Sequence, residues 1–212
     1  MDIVYILGTG SLAQDEEIRY SLRSIEKHMQ DLDNVYVVGE RPDFLINIKH
    51  ISCKDPHGEK WKNAHHKIMT ACNLGELSEE FLLMNDDFFA NADFIGAELP
   101  FYAVKNGSGG NCGKEDYAVH APVRYNKKFF KSMPFPILEK GTYSPRTFFC
   151  NFFQAPPKFV KDTIITTGEG VPSYDEQVKG AEWFSIGSST MTVLDFSVWL
   201  QEKYPQPSNF ED

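Results

Sequence analysis

Three unbroken apolar runs punctuate the first half of the chain: Ile3–Leu7, Val35–Val38 and Phe81–Met84. Each is short and bounded by Gly, polar or acidic residues, the pattern of strands buried on both faces of a sheet. A further strand is expected over Ile46–Ile51, after a turn at Arg41-Pro42-Asp43. Between the runs the period changes to 3.6. Ile18, Leu22, Ile25 and Met29 predict a helix from about Asp15 to Met29, with Asp15, Glu16 and Glu17 in its first turn, where carboxylates complement the dipole. Ala64, Ile68, Ala71 and Cys72 predict a second helix from about Lys60 to Asn73, stopped by Gly75, with His65, His66 and Lys67 partly off its buried stripe. The order β-α-β-β-α-β signals an α/β sheet with crossover helices.

The second half has a different texture. A strand is expected at Pro100–Val104, then a glycine-rich loop at 106–116 whose composition suits a mobile lid. Tyr117–Pro122 reads as a strand, Tyr125–Met133 as a short basic helix, and Ser144-Pro145-Arg146 as a capped start for a helix through Phe153. Further helices are expected at Tyr174–Trp183 and Val193–Tyr204, with a loop between 166 and 173. No repeat or second domain boundary is visible, so residues 1–212 are expected to form one domain.

Composition narrows the class. With 42% apolar and 14% aromatic residues, 17 of them Phe, the chain of 212 residues carries enough to bury a sizeable core. No apolar run approaches the roughly 18 residues of a membrane span, and Met1-Asp2-Ile3 lacks a basic leader, so a cytoplasmic location is expected. Cys53, Cys72, Cys112 and Cys150 are widely spaced and read as free thiols without a zinc site. A net charge of −9 argues against nucleic acid as the main partner, although Lys127, Lys128 and Lys131 with Phe129 and Phe130 form a local basic and aromatic cluster.

The candidate chemistry lies where the apolar run at Phe81–Met84 meets Asn85-Asp86-Asp87. Carboxylates at the end of a buried parallel strand stand at the sheet edge where α/β proteins bind ligands. Two adjacent acids repel, and a hard divalent cation shared with substrate phosphates, Mg²⁺ or Mn²⁺, resolves that repulsion. A solvated turn uses the same residue types. Gly8-Thr9-Gly10-Ser11, a glycine-rich turn between strand and helix, suits a phosphate, as it suits any tight turn. Arg19 and Arg23 share a helix face and present two guanidinium forks, either to phosphate or to solvent.

Four stretches, in order, resemble the Stealth family of sugar-phosphate transferases. Asp2-Ile3-Val4-Tyr5 is similar to the family's opening strand DVVYTWVDG. Glu17 through Lys27 is close to its ELRYSLRSIEK helix, with Leu77-Ser78-Glu79 through Phe89 close to LSE-x-F-x-x-x-NDDFF. Val119-His120-Ala121-Pro122 and downstream Arg146 resemble its third region, and Tyr204 through Glu211 its terminal FP-x-x-S-x-FE. The resemblance implies a GT-A-like, Rossmann-like fold: a mixed, mainly parallel sheet flanked by helices. It implies transfer of sugar-1-phosphate from a nucleotide-diphosphate sugar, expected to be uridine-based, to a hydroxyl acceptor, expected to be a glycan. It implies Asp86 and Asp87 as metal ligands, with Asp87, His120 and Arg146 in catalysis. Asn85, Arg19, Arg23, Gly8, Gly10, His66 and Lys67 are the expected substrate-binding residues. Two departures stand out: the opening strand ends Leu7-Gly8-Thr9-Gly10 without the WVDG acid, and Ile186-Gly187-Ser188 replaces an Ile-Asn-Asp. Asp175, Glu176 and Glu182 are the candidates to replace that acid. A conventional GT-A glycosyltransferase, moving the sugar alone to a glycan or to modified DNA, would carry the same acidic strand end. So would an inactive homologue that only binds a glycan or nucleotide.

Overall fold

The three apolar runs are neighbours in one sheet. The computed structural model describes residues 1–9, 11–101, 103–105, 120–133, 145–153 and 158–212. Its elements run β1 (Asp2–Leu7), α1 (Glu16–His28), β2 (Val35–Gly39), β3 (Lys49–Ile51), α2 (Lys60–Cys72), β4 (Glu80–Met84), β5 (Phe88–Ala90) and β6 (Ala103–Lys105). They continue β7 (Val123–Asn126), α3 (Lys127–Ser132), α4 (Pro145–Phe153), β8 (Lys158–Val160), β9 (Ile164–Ile165), α5 (Tyr174–Val178), β10 (Trp183–Ile186) and α6 (Leu194–Lys203). The main sheet has the order β3-β2-β1-β4-β7, parallel except for β7, which runs antiparallel along β4. The α/β sheet with crossover helices expected from the residue pattern is therefore present, and it is mainly parallel, as the resemblance implies.

The direction of the crossovers locates the crevice. The step β1–α1–β2 moves one way along the sheet, and β3–α2–β4 moves back past β1. Right-handed crossovers in opposite directions put α1 and α2 on opposite faces, and leave a gap where β1 and β4 end side by side. The register Tyr5↔Met84 sets the carboxyl ends of these two strands level.

Burial explains the residue choice. Ile3, Val4, Tyr5, Val37, Val38, Phe81, Leu82 and Met84 are all buried, each aliphatic side chain contributing about 1.5–3 kcal/mol of transfer free energy. Asp2 is buried too, because its carboxylate accepts bonds from Asn34 Nδ2 (2.8 Å), Ser78 N (2.9 Å) and Ser78 Oγ (2.8 Å). Those bonds tie the loops that enter β2 and β4 to the start of β1, and hold the Asp2 carboxyl below its ordinary range even though burial acts to raise it. A second small sheet, β5-β10-β9, packs with α5 and α6 around Phe89, Phe184 and Phe196.

Several expected boundaries move. Only Lys49–Ile51 of the expected Ile46–Ile51 strand pairs with β2, since Asn47 takes a left-handed φ of 52° that breaks the extended run. Val123–Asn126 is a strand rather than the start of the basic helix: alternation of Val123 and Tyr125 inward overrides the lysine-rich texture that follows. The helix at Tyr174 ends at Val178, Gly180 adopts φ 70°, and Trp183–Ile186 becomes β10. On α2, His65 is buried against the ring of Phe130, and Lys67 is buried as well, so the stripe is wider than its aliphatic residues. In the second half, Ala103–Lys105 supports the strand placed there. The loop at 106–116, Tyr117–Val119, Ser144 and Gly10 lie outside the described residues, and Ala121 and Pro122 are not in a strand.

Candidate active site

A cleft of about 570 Å³ opens at the β1/β4 switch point. Ile6, Gly8, Thr9 and Ser11 enter it from the end of β1, Asp15 and Glu17 from the start of α1, and Lys60, Trp61, Ala64 and Ile68 from α2. Asn85, Asp86 and Asp87 form the end of β4, His120 and Arg146 approach from the loop before β7 and the start of α4, and Gly187 and Ser188 close the rim after β10. The structure thus gathers Gly8, Asn85, Asp86, Asp87, His120 and Arg146 from widely separated stretches.

Sheet register explains the gathering. Leu83 pairs with Val123, so the antiparallel ladder sets the loop before β7 beside the end of β4, and His120 enters the same cleft as the acids. Ser185 pairs with Phe88, and Ile186 N donates to Asp87 O at 3.3 Å, which lays Gly187 and Ser188 beside the acids. Phe88 is the buttress. The Arg146 guanidinium lies 5.0 Å from its ring centroid, and the His120 ring meets it edge-on at 6.5 Å. The Phe88 carbonyl accepts from Ser21 Oγ at 2.6 Å, and Ser21 Oγ shares a 2.8 Å bond with the Tyr5 hydroxyl. Arg146 Nη1 also donates to Ala121 O at 2.6 Å, and His120 Nδ1 lies 3.5 Å from Asp162 Oδ1. Each group is therefore held from a second element.

The electrostatics are those of a site short of positive charge. Burial first, then Asp87 and Glu17, push the Asp86 carboxyl up to about 7. Asp87 is also raised by burial, against the opposing pull of Arg146 and His120. Burial, Glu17 and Glu40 raise Asp15. Asp87 Oδ1 is buried without a hydrogen-bond partner among the described residues. A buried carboxylate oxygen left unpaired is costly, and a cation is the ligand that removes the cost. Among the described residues no three His, Cys, Asp or Glu side chains form a closed cage. A carboxylate pair without a cage fits Mg²⁺ or Mn²⁺ completed by substrate oxygens, and does not fit a structural zinc site.

Other expected ligands are elsewhere. Arg19 and Arg23 do not line the cleft. Arg19 Nη1 donates to Glu211 Oε2 at 2.7 Å, while Arg23 Nε and Nη2 grip Glu211 Oε1 and Oε2 at 2.7 and 2.9 Å. Their forks hold the C-terminal tail, a carboxylate serving where phosphate was expected. His66 is exposed and stands edge-on to His57, 6.2 Å between centroids, away from the lining. Lys67 pairs with Asp55 beneath Gly8. None of the acids expected to replace the one missing at Gly187 lines the cleft: Asp175 accepts from Trp199 Nε1 at 3.1 Å, and Glu182 lies 3.7 Å from Lys158 Nζ.

The cleft also contains acids that the residue pattern assigned only to the helix dipole. Ser11 Oγ accepts from Asp15 N at 2.9 Å and donates to Glu17 Oε2 at 2.8 Å, fixing a turn in which Gln14 and Asp15 take φ of 56° and 63°. That turn carries Asp15 and Glu17 to the rim. Lys60 and Trp61 were legible in principle, because the first turn of a crossover helix that follows a parallel strand stands at the carboxyl edge.

No protein-family model matches the chain, and no curated protein sequence matches it. Solved structures do. A crystal structure of the galactosyltransferase LgtC in complex with donor and acceptor sugar analogs matches at TM-score 0.53 and 10% identity, over 97% of this chain and 94% of LgtC. An active-site mutant of LgtC matches at TM-score 0.55 and 11% identity over the same shares of the two chains. The fold is GT-A-like. The apo-form glycosyltransferase GlyE of Streptococcus pneumoniae TIGR4 matches at TM-score 0.49 and 14% identity, over 98% of this chain and 64% of GlyE. No described helix of this GT-A-like chain is long and apolar enough to cross a membrane.

Proposed function

We propose that this chain is a divalent-cation-dependent transferase that draws on a nucleotide-diphosphate sugar and acts on a hydroxyl acceptor, a glycan being the expected class. The observation that carries the reading is the Asp86–Asp87 pair at the switch point, with Asp87 Oδ1 buried and unpartnered among the described residues. Asp86 and Asp87 would hold Mg²⁺ or Mn²⁺, with Asn85 adding a neutral donor. Bound there, the ion supplies charge neutralisation for the diphosphate and its leaving oxygen.

The chain's own groups supply the rest. Arg146, anchored to Ala121 O and seated on Phe88, presents a cation to phosphate oxygens as charge develops on them. His120, with Nδ1 on the Asp162 side, takes the acceptor's proton at Nε2. Both side chains are half-buried, so both interactions are less screened than they would be in bulk water.

Two bonds are open to attack. The four stretches similar to Stealth sequences favour attack on phosphorus: sugar-1-phosphate moves and nucleoside monophosphate leaves. The near full-length likeness to LgtC favours the second reading, in which the sugar carbon is attacked and nucleoside diphosphate leaves. Mass spectrometry of the released nucleotide, after incubation with a panel of uridine diphosphate sugars, Mn²⁺ and glycan acceptors, separates them. Monophosphate supports the first and diphosphate the second. Release of neither across the panel, with no dependence on Asp87, counts against both.

A further inference from the structure

The imidazole of His120 is turned in one definite sense. Its side chain is 35% exposed and lines the cleft, yet its Nδ1 is buried, which leaves Nε2 as the nitrogen available to the cleft. Behind the ring stands Asp162, with a side chain only 15% exposed and Oδ1 3.5 Å from Nδ1. The same oxygen accepts from the His120 backbone N at 3.3 Å. One carboxylate oxygen thus addresses both the backbone and the ring of one residue. The Phe88 ring, edge-on at 6.5 Å, limits the remaining swing of the imidazole.

Asp162 owes its place to the small sheet. It precedes Thr163, whose carbonyl accepts from Ser185 N at 2.9 Å, and β9 then runs parallel to β10. Because Ile186 N of β10 also donates to Asp87 O, one strand sets both an acid of the cleft and the carboxylate behind His120. Arg146, across the Phe88 ring, and Asp87, in the cleft, are further charged groups that act around the imidazole.

A neutral imidazole carries its proton on one nitrogen or the other. Two lone pairs facing each other repel, so a carboxylate oxygen at Nδ1 favours the tautomer protonated there and leaves Nε2 bare towards the cleft. We propose that Asp162 is the positioning residue of His120, fixing the Nδ1–H tautomer and the orientation in which Nε2 receives the acceptor's proton. In that step the acceptor O–H bond breaks and an Nε2–H bond forms. The electron pair freed on oxygen makes the new bond to the donor as the nucleotide leaves. The Nδ1 proton stays on the ring, and the imidazolium faces the Asp162 carboxylate.

The inference rests on His120 as the base of the proposed transfer, and one arm of its test needs no turnover. Long-range ¹H–¹⁵N correlation of histidine-labelled protein in mildly alkaline buffer reads which ring nitrogen carries the proton, His120→Gln identifying the signals. The wild type should show Nδ1–H, and Asp162→Ala should shift His120 towards Nε2–H. The second arm is kcat with whichever uridine diphosphate sugar the nucleotide-release panel finds active. Asp162→Ala should lower kcat about tenfold or more, with KM for the donor within about threefold. In a His120→Ala background the same substitution should change kcat by less than about twofold, since a residue that acts through another has nothing left to act on. Asp162→Asn, which keeps an acceptor for His120 N, is measured alongside; it should melt close to the wild type and still lose kcat several-fold. An Nε2–H tautomer in the wild type, a tautomer unmoved in Asp162→Ala, or an equal loss of kcat with and without His120 overturns the assignment: an ion pair that merely ties the loop to β9 predicts the last result. Absence of turnover across the panel counts against the donor reading instead, and the tautomer then decides the Asp162 assignment alone.

Discussion

The guanidinium of Arg146 lies over the ring of Phe88, 5.0 Å from its centroid. The same ring meets His120, so one fully buried side chain supports two groups proposed to act on substrate. Phe88→Leu keeps β5 apolar but removes the flat surface. It should cost about 1–2 kcal/mol of stability and lower turnover by roughly an order of magnitude or more, the scale of misplacing catalytic groups. Metal and nucleotide affinity should stay within about threefold. Steady-state kinetics beside binding titration checks this; parallel loss of kcat and nucleotide affinity would show that Phe88 supports the nucleotide subsite as well.

Glu211 makes the tail part of the fold. Its side chain is 1% exposed. Burial alone would raise the carboxyl, but bonds from Arg23, the Ser208 backbone and Arg19 hold it at about 2 against an ordinary 4.5. With the folded value depressed, the stabilisation is present above 4.5 and is lost as pH falls from there towards 2. The linked stability is on the order of 3 kcal/mol. Glu211→Gln should therefore lower the urea midpoint at pH 7 and flatten the acid limb below pH 4.5. Nucleotide affinity should not change, which distinguishes a tail clamp from a phosphate site at Arg19 and Arg23.

Asp86 has the opposite sign. Its folded value of about 7 stands above the ordinary 3.8, so the fold favours the protonated acid and stability falls as pH rises from 3.8 through 7. The cost reaches the order of 4 kcal/mol above pH 7. In metal-free protein, Asp86→Asn should raise the melting temperature by several degrees at pH 8 and change little at pH 4. Added Mn²⁺ should stabilise the wild type increasingly from pH 6 to 8, as protons cease to compete, and should leave the variant unmoved. Differential scanning fluorimetry across pH reads both effects.

The halves of this molecule were unequally legible. The parallel core followed from Ile3–Leu7, Val35–Val38 and Phe81–Met84, because residues buried on both faces have no freedom to be polar. The position of the acid pair and Gly8 at the sheet edge followed from the same runs, since each directly follows a buried strand and both line the cleft where β1 and β4 end. Arg19 and Arg23 were misplaced for a physical reason: a fork that suits phosphate suits a carboxylate equally, and Glu211 is 188 residues from Arg23 in sequence. Several motif residues turn out to hold structure, among them Asp2, Ser21 and Ser78 through their buried bonds. Asp15 and Glu17 were hidden behind a local explanation, dipole complementarity, that is sufficient without a site. Trp183–Ile186 shows no alternation because the strand is buried along its whole length, and Ser185 interrupts its apolar run.

The decisive measurement is calorimetric titration of the wild-type protein and Asp87→Ala with uridine diphosphate, with and without Mn²⁺. Micromolar-range binding that requires the cation is expected in the wild type. It should be lost in the variant, whose melting temperature should stay within a few degrees of the wild type. Binding that needs no cation, or that survives Asp87→Ala unchanged, would overturn the cation–diphosphate assignment at Asp86 and Asp87.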